Sequence, residues 1–231
     1  MRRGERAATN IQHPTLGFCR WCGGRRLWAV RGGFWSVRIS ADERTLPAFG
    51  LDTVLVWEMR NQDYNGNFVV RIAEFLPDRF VEWEDANTQG TIFIPNRDLL
   101  NAKGLSSANL FQSGMDTRGK DTTTLWLSQR IYRELKEKGK ARCNLDGIGG
   151  LLTNLGNDQL AVEVNRASIM LPVIKVADDR GGERWFLDQE DNPLMLRHTV
   201  RTFTQVLTSI TTNRSNTLRW IKGKKLANTP R

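Results

Sequence analysis

Cys19-Arg-Trp-Cys22 is the stretch of this 231-residue chain whose spacing first suggests chemistry, since a CxxC pair serves metal knuckles and redox dithiols alike. A structural zinc site needs four ligands, usually with a second close pair. The remaining candidates, Cys143, His13 and His198, are scattered and unpaired. A dithiol redox site belongs between a strand and the start of a helix, and the Gly23-Gly-Arg-Arg26 that follows opens no helix. The thiols read as incidental, and neither a metal nor any other cofactor is expected.

Two histidines are a thin supply for proton transfer near neutral pH. His13 lies in an irregular leader, and His198 lies in or beside a strand, where a satisfied or exposed ring is expected. No Gly-x-Ser-x-Gly elbow presents a nucleophile, so no acyl-transfer site is expected. Gly147-Ile-Gly-Gly150 lacks the full phosphate-cradling pattern and reads as a turn or bulge. Carboxylates are the better catalytic candidates. Glu82 and Glu84 share one face of a strand, opposite Val81 and Trp83, and Glu58 ends the apolar run of a neighbouring strand. Paired acids beside tryptophans suit sugar hydrolysis, with carboxyl separations of about 5 to 9.5 Å. An antiparallel sheet with one wet face shows the same alternation. A small carbohydrate-active enzyme is therefore the alternative reading.

Tryptophan suggests another use. Trp57 shares a face with Leu55 and Met59, and Trp83 with Val81. On a curled sheet, Leu55, Trp57, Met59, Val81 and Trp83 would line a concave apolar surface able to hold an acyl chain. The competing expectation is that these side chains simply fill a core against a helix at 128–139.

The elements that must position these groups are mostly strands. Leu51 to Arg60, Phe68 to Phe75, Arg79 to Glu84 and Thr91 to Ile94 are β-branched and apolar runs with short polar links, including Asn65-Gly66. They predict an antiparallel meander. Pro95 opens a short helix over 96–103, ended by Gly104. A stronger helix starts at Ser128, carries Ile131, Tyr132 and Leu135, pairs Glu134 with Lys138, and stops at Gly139. Strand-like runs at 123–127 and 141–145 flank it.

In the last third, Leu160, Val162 and Val164 alternate with Gln159, Ala161 and Glu163. Strands at 169–176, 183–187 and 193–196 follow, with reversals at Asp178 to Gly182 and Asp188 to Pro193. Val200 to Ile210 fits a helical spacing, but its many threonines, stiff at Cβ, favour a strand. About ten strands with one or two short helices make a mainly β (α+β) domain, a curved sheet or partial barrel.

The net charge of +9 sits at the ends. Residues 1–46 carry nine basic and three acidic side chains, and residues 211–231 carry six basic and no acidic ones, whereas the body between is slightly acidic. Three parts follow: a basic irregular extension over 1–46, a β-rich domain over 47–212, and a basic tail over 213–231. A nucleic-acid binder would carry its basic patch on the folded surface, so nucleic acid is not the expected partner. Only the tail keeps that reading open: Asn213-Arg-Ser-Asn-Thr-Leu-Arg-Trp-Ile-Lys-Gly-Lys-Lys225 mixes basic residues with one Trp, as single-strand binders do, and would equally suit an anionic membrane surface. No run approaches the roughly 20 apolar residues that span a bilayer. A complete sequence as given would be cytoplasmic, and a different true start carrying a signal peptide would place the protein in the periplasm or cell envelope.

Arg79-Phe-Val-Glu-Trp-Glu-Asp85, Thr88-Gln-Gly-Thr-Ile-Phe-Ile-Pro95, Thr124-Leu-Trp-Leu-Ser128, Leu171-Pro-Val-Ile-Lys175 and Trp185-Phe-Leu-Asp-Gln-Glu-Asp-Asn-Pro-Leu194 together form a recognisable pattern. Over roughly 50–212 it resembles bacterial β-rich envelope proteins, mostly exported, with an open or partial β-barrel of unknown function. The resemblance implies a fold and a compartment and carries no catalytic residues. The expected role is binding or structural and non-enzymatic, with an apolar small molecule or lipid as the ligand.

Overall fold

A computed structural model describes residues 49–212 apart from 87, 108, 109, 112 and 115. The chain divides into two units, Met1–Glu43 and Arg44–Arg231, and the described residues belong to the second. Cys19, Cys22, His13, the basic extension over 1–46 and the basic tail over 213–231 lie outside the described residues.

The first four strands are β1 (Val54–Arg60), β2 (Asn65–Glu74), β3 (Arg79–Asp85) and β4 (Thr88–Ile94), and they pair antiparallel in chain order. Period-two patterning decides which face is buried. Leu55 faces Val70, and Val70 faces Trp83, while Trp57 faces Phe68, so these five side chains form cross-strand rows on the inner face. After them come α1 (Asn96–Asn101), β5 (Gly104–Leu105), β6 (Asp116–Arg118) and β7 (Thr122–Thr123). The chain continues with α2 (Gln129–Lys138), β8 (Lys140–Leu145), β9 (Ile148–Val164), β10 (Ala167–Asp178), β11 (Gly182–Leu187), β12 (Met195–Val200) and β13 (Phe203–Thr211).

All thirteen described strands belong to one sheet, in the order β6-β4-β3-β2-β1-β13-β12-β11-β10-β9-β8-β5-β7. Two features curl it. The parallel pairs Ser209–Glu163 and Ile210–Val164 join β13 to β9 and close a ring of β9 to β13. β9 can serve this ring and the rest of the sheet because Gly156 turns it at φ 111° and β10 shifts register opposite, between Lys175 and Val176. At the other side, the edge strands β6 and β7 are separated in sequence only by residues 119–121. Four chain steps reach at most about 14 Å, so the two edges of the sheet end beside each other. A β-carbon on Gly119 would stand 2.4 Å from the Thr122 carbonyl oxygen, which is why the link needs glycine.

α2 follows its sequence signals. Ser128 accepts from the Ile131 amide at 3.3 Å and donates to the Ala102 carbonyl at 2.7 Å, so one hydroxyl caps α2 and ties it to the end of α1. Gly139 ends it in the left-handed region at φ 69°. Ile131, Tyr132 and Leu135 are buried in the core beside Trp126 and Leu127.

The curved, mainly β architecture is as the sequence predicts, with four local corrections. Asn65-Gly66 opens β2 instead of forming the turn, which is made by Asn61, whose carboxamide oxygen accepts from the Asp63 and Tyr64 amides. Gly104 starts β5, because α1 ends at Asn101 and the Gly104 amide pairs with the Asp121 carbonyl. Residues 124–127 leave strand geometry, with Leu125 at φ 59° and Trp126 forming a single bridge to Leu194. The i, i+4 ion pair within α2 is Arg130 with Glu134 at 3.1 Å, where Glu134 with Lys138 is expected. The sheet is also mixed: β4–β6, β5–β7, β5–β8 and β13–β9 are parallel.

Candidate functional site

The inner face of β1 to β3 carries an aromatic cluster. Leu55, Trp57, Val81 and Trp83 are buried, and Met59 packs against them half-buried. Phe68 lies 5.9 Å from Trp57 and 6.1 Å from Trp83, ring centre to ring centre. Phe111, from the segment between β5 and β6, stands edge-on to both Phe68 at 4.9 Å and Trp83 at 5.5 Å. Such edge-to-face pairs each add about 0.5–1.5 kcal/mol beyond area burial. Trp57 donates its indole N–H to the Met195 carbonyl at 3.1 Å. The Trp83 indole N–H is buried without a hydrogen-bond partner.

The three acids flagged by spacing lie on the opposite face. Glu82 accepts from Arg71 at 2.6 Å, and Arg71 also reaches Asp52 at 2.8 Å. This pairing follows from register, because Arg71 and Glu82 face each other across β2 and β3. Glu58 is bound by Arg60 at 2.6 Å on the same strand. Glu84 faces Val69. The structure therefore sets Glu82 within a charged row and keeps Glu58 two strands away from it.

A second constellation lies at one end of the β9–β13 ring, where strand parity points polar side chains inward. Arg184, His198 and Gln205 are all buried, with His198 directly opposite Arg184 on β11 and Gln205 on β13. Arg184 donates to Asp178, which also accepts from the amides of Arg180 at 2.9 Å and Gly182 at 2.8 Å. Burial pushes the Asp178 carboxyl up, but Arg184 and those two amides outweigh it and hold it below the usual range. His198 has neither ring nitrogen hydrogen-bonded, and its ring lies 5.8 Å from Phe203. Burial, helped by Arg184, lowers its proton affinity to about 4. It is neither satisfied nor exposed, contrary to expectation. Cys143 nearby is a buried free thiol pushed up to about 11 by burial, which makes it a poor nucleophile.

The loop from Asp188 to Pro193 holds the helical side of the domain. Asp188 accepts from Tyr132 at 2.5 Å and from Lys136 at 2.9 and 3.0 Å. Burial, then the bond to Asp188, raises the Tyr132 phenol. Asn192 accepts from Trp126 at 2.8 Å and from Arg79 at 3.4 Å. Arg79 is sandwiched between Phe75 at 4.1 Å and Trp126 at 5.0 Å, and burial lowers its guanidinium to about 10.

Alternation along β1 and β3 located the aromatic face from sequence. Phe68 carries only a strand signal in the sequence, and Phe111 has no periodic context. Arg184, His198 and Gln205 carried one usable signal: polar residues at positions whose parity matches buried Phe186, Leu196 and Leu207. Among the described residues, no group of three or more His, Cys, Asp and Glu side chains could hold a metal ion, and no helix is long and apolar enough to cross a membrane. No protein-family model matches the chain, and no curated protein matches it.

Proposed function

We propose that the β-rich domain is a non-enzymatic binding protein of the cell envelope whose aromatic cluster takes an apolar, lipid-like ligand bearing one oxygen acceptor. The observation that carries this reading is the Trp83 indole N–H, buried beside Phe68 and Phe111 with no partner. An unmade hydrogen bond of this kind costs about 1–3 kcal/mol, which an ester, acid or ether oxygen recovers on binding. Phe111 is half-buried and fills the place where the head of such a ligand would lie. The envelope placement leans on the resemblance of the strand and turn pattern to exported β-rich proteins. In the same reading, the six basic residues of 211–231 hold the protein to an anionic bilayer, at about 1 kcal/mol for each one near the surface.

Native mass spectrometry of protein purified without detergent tests the ligand. A co-purified lipid-sized adduct, and quenching of tryptophan emission by a long-chain fatty acid, are the expected results. Trp83→Phe keeps a six-membered aromatic ring but removes the donor together with the five-membered ring, so it weakens fatty-acid binding at least about fivefold, as loss of one neutral hydrogen bond of about 1 kcal/mol should. Absence of any adduct, together with unchanged emission up to the solubility limit of the fatty acid, rejects the reading.

A further inference from the structure

The polar end of the β9–β13 ring has no part in holding an apolar ligand. His198 faces charged or polar groups from every strand packed on it: Arg184 on β11, Gln205 on β13 and Asp178 at the end of β10. Asp146, in the turn between β8 and β9, is the third group whose charge it feels. Both carboxylates are already engaged. Asp178 serves Arg184 and two amides, and Asp146 accepts from the Ser106 hydroxyl at 3.0 Å and the Ser107 amide at 2.7 Å. A second proton on His198 would therefore create a buried cation opposite a buried guanidinium, with no free acid to meet it.

β12 carries more than His198. Its first residue, Met195, accepts the Trp57 indole N–H through its carbonyl at 3.1 Å, and its amide donates to the Leu125 carbonyl at 2.6 Å. One six-residue strand thus joins the histidine to the aromatic cluster.

We infer that β12 is an acid-operated latch: protonating His198 frees it from β11 and β13 and, through Met195, loosens Trp57. The first half stands on the ring alone, and the second rests on the ligand reading above. At neutral pH the ring is uncharged and the strand is held. The unfolded or locally opened chain binds the proton near the ordinary histidine value of 6.5, whereas the closed fold resists it down to about 4. The stabilising effect of the neutral ring is therefore complete above pH 6.5 and is lost as pH falls from 6.5 towards 4.

Hydrogen exchange of the full-length protein, read as protection factors for peptides spanning 195–200 and 203–206, tests the latch. Between pH 6.5 and pH 4 their opening equilibrium should rise about a hundredfold in the wild type, since each pH unit between the two values contributes up to tenfold. His198→Gln, which cannot titrate, should leave only the background change shared with β2 and β3. A parallel response of wild type and His198→Gln overturns the proposal. So does an NMR titration of the His198 ring at 6.5 without loss of protection, a measurement on the wild type that stands if the variant fails to fold. Exchange needs no ligand, so the latch and the ligand reading fail separately. Fatty-acid binding that persists unchanged from pH 7 to pH 4.5 removes the link to Trp57 while leaving the binding itself intact.

Discussion

Trp126 donates its indole N–H to the side-chain oxygen of Asn192 at 2.8 Å, across 66 residues of sequence. The same oxygen accepts from Arg79, so one carboxamide joins the start of β3, the entry to α2 and the loop before β12. The apolar runs and polar reversals of 171–196 thus do more than build strands: the last reversal is a peg on which three parts of the fold hang.

Asn192→Leu removes that acceptor and leaves the buried Trp126 N–H unpaired, at about 1–3 kcal/mol, while Arg79 keeps the Phe75 and Asp191 carbonyls. A loss of about 2 kcal/mol in urea-unfolding free energy is expected. A change under about 0.5 kcal/mol would mean that Trp126 finds another partner.

Tyr132→Phe deletes only the hydroxyl that Asp188 accepts at 2.5 Å. A charge-assisted bond of this kind is worth about 1.5–3 kcal/mol, reduced here because Lys136 remains on Asp188. Exchange protection in α2 should fall more than protection in β9 and β10.

Asp178→Asn strips Arg184 of its carboxylate inside the ring, where both side chains are nearly closed to solvent at 5% and 3% exposure. Breaking a buried pair from one side costs about 3–5 kcal/mol. Thermal unfolding should shift down by many degrees, with Asp178→Asn,Arg184→Met recovering part of the loss because no stranded charge remains.

The Cys143 thiol, pushed up to about 11 by burial, should resist alkylation at pH 8 for as long as the domain stays folded. Peptide-level mass spectrometry after iodoacetamide treatment checks this. Labelling of Cys143 should become rapid only with added denaturant.

Gly119→Ala places a methyl group 2.4 Å from the Thr122 carbonyl oxygen, a backbone atom that cannot swing away. Overpacking of this kind costs about 1–3 kcal/mol. Urea unfolding measures it, and a neutral result would show that the link between β6 and β7 shifts freely.

What could be read from sequence was what local chemistry specifies. Ser128 and Gly139 bound α2 through contacts within a few residues, and period-two alternation placed Leu55, Trp57, Val81 and Trp83 on one face before any partner strand was known. Gly104 misled because a glycine after an apolar turn suits a helix end and a crowded strand equally, and here Thr122 approaches its α-carbon too closely for a side chain. The ring closure between Ile210 and Val164 joins residues far apart in the chain and leaves no local mark. The setting of His198 is hidden for a related reason: a polar side chain on a strand is expected to face water or find a partner, and only the pairing of β11, β12 and β13 turns it inward.

The strands left at the borders of the sheet are three and two residues long. Unpaired amides and carbonyls along a long border are templates on which a foreign chain can add, and short borders deny it a foothold. With its extremities so brief and tucked beside each other, this strand-rich domain should resist fibril growth until the region around residues 116–123 is pulled open.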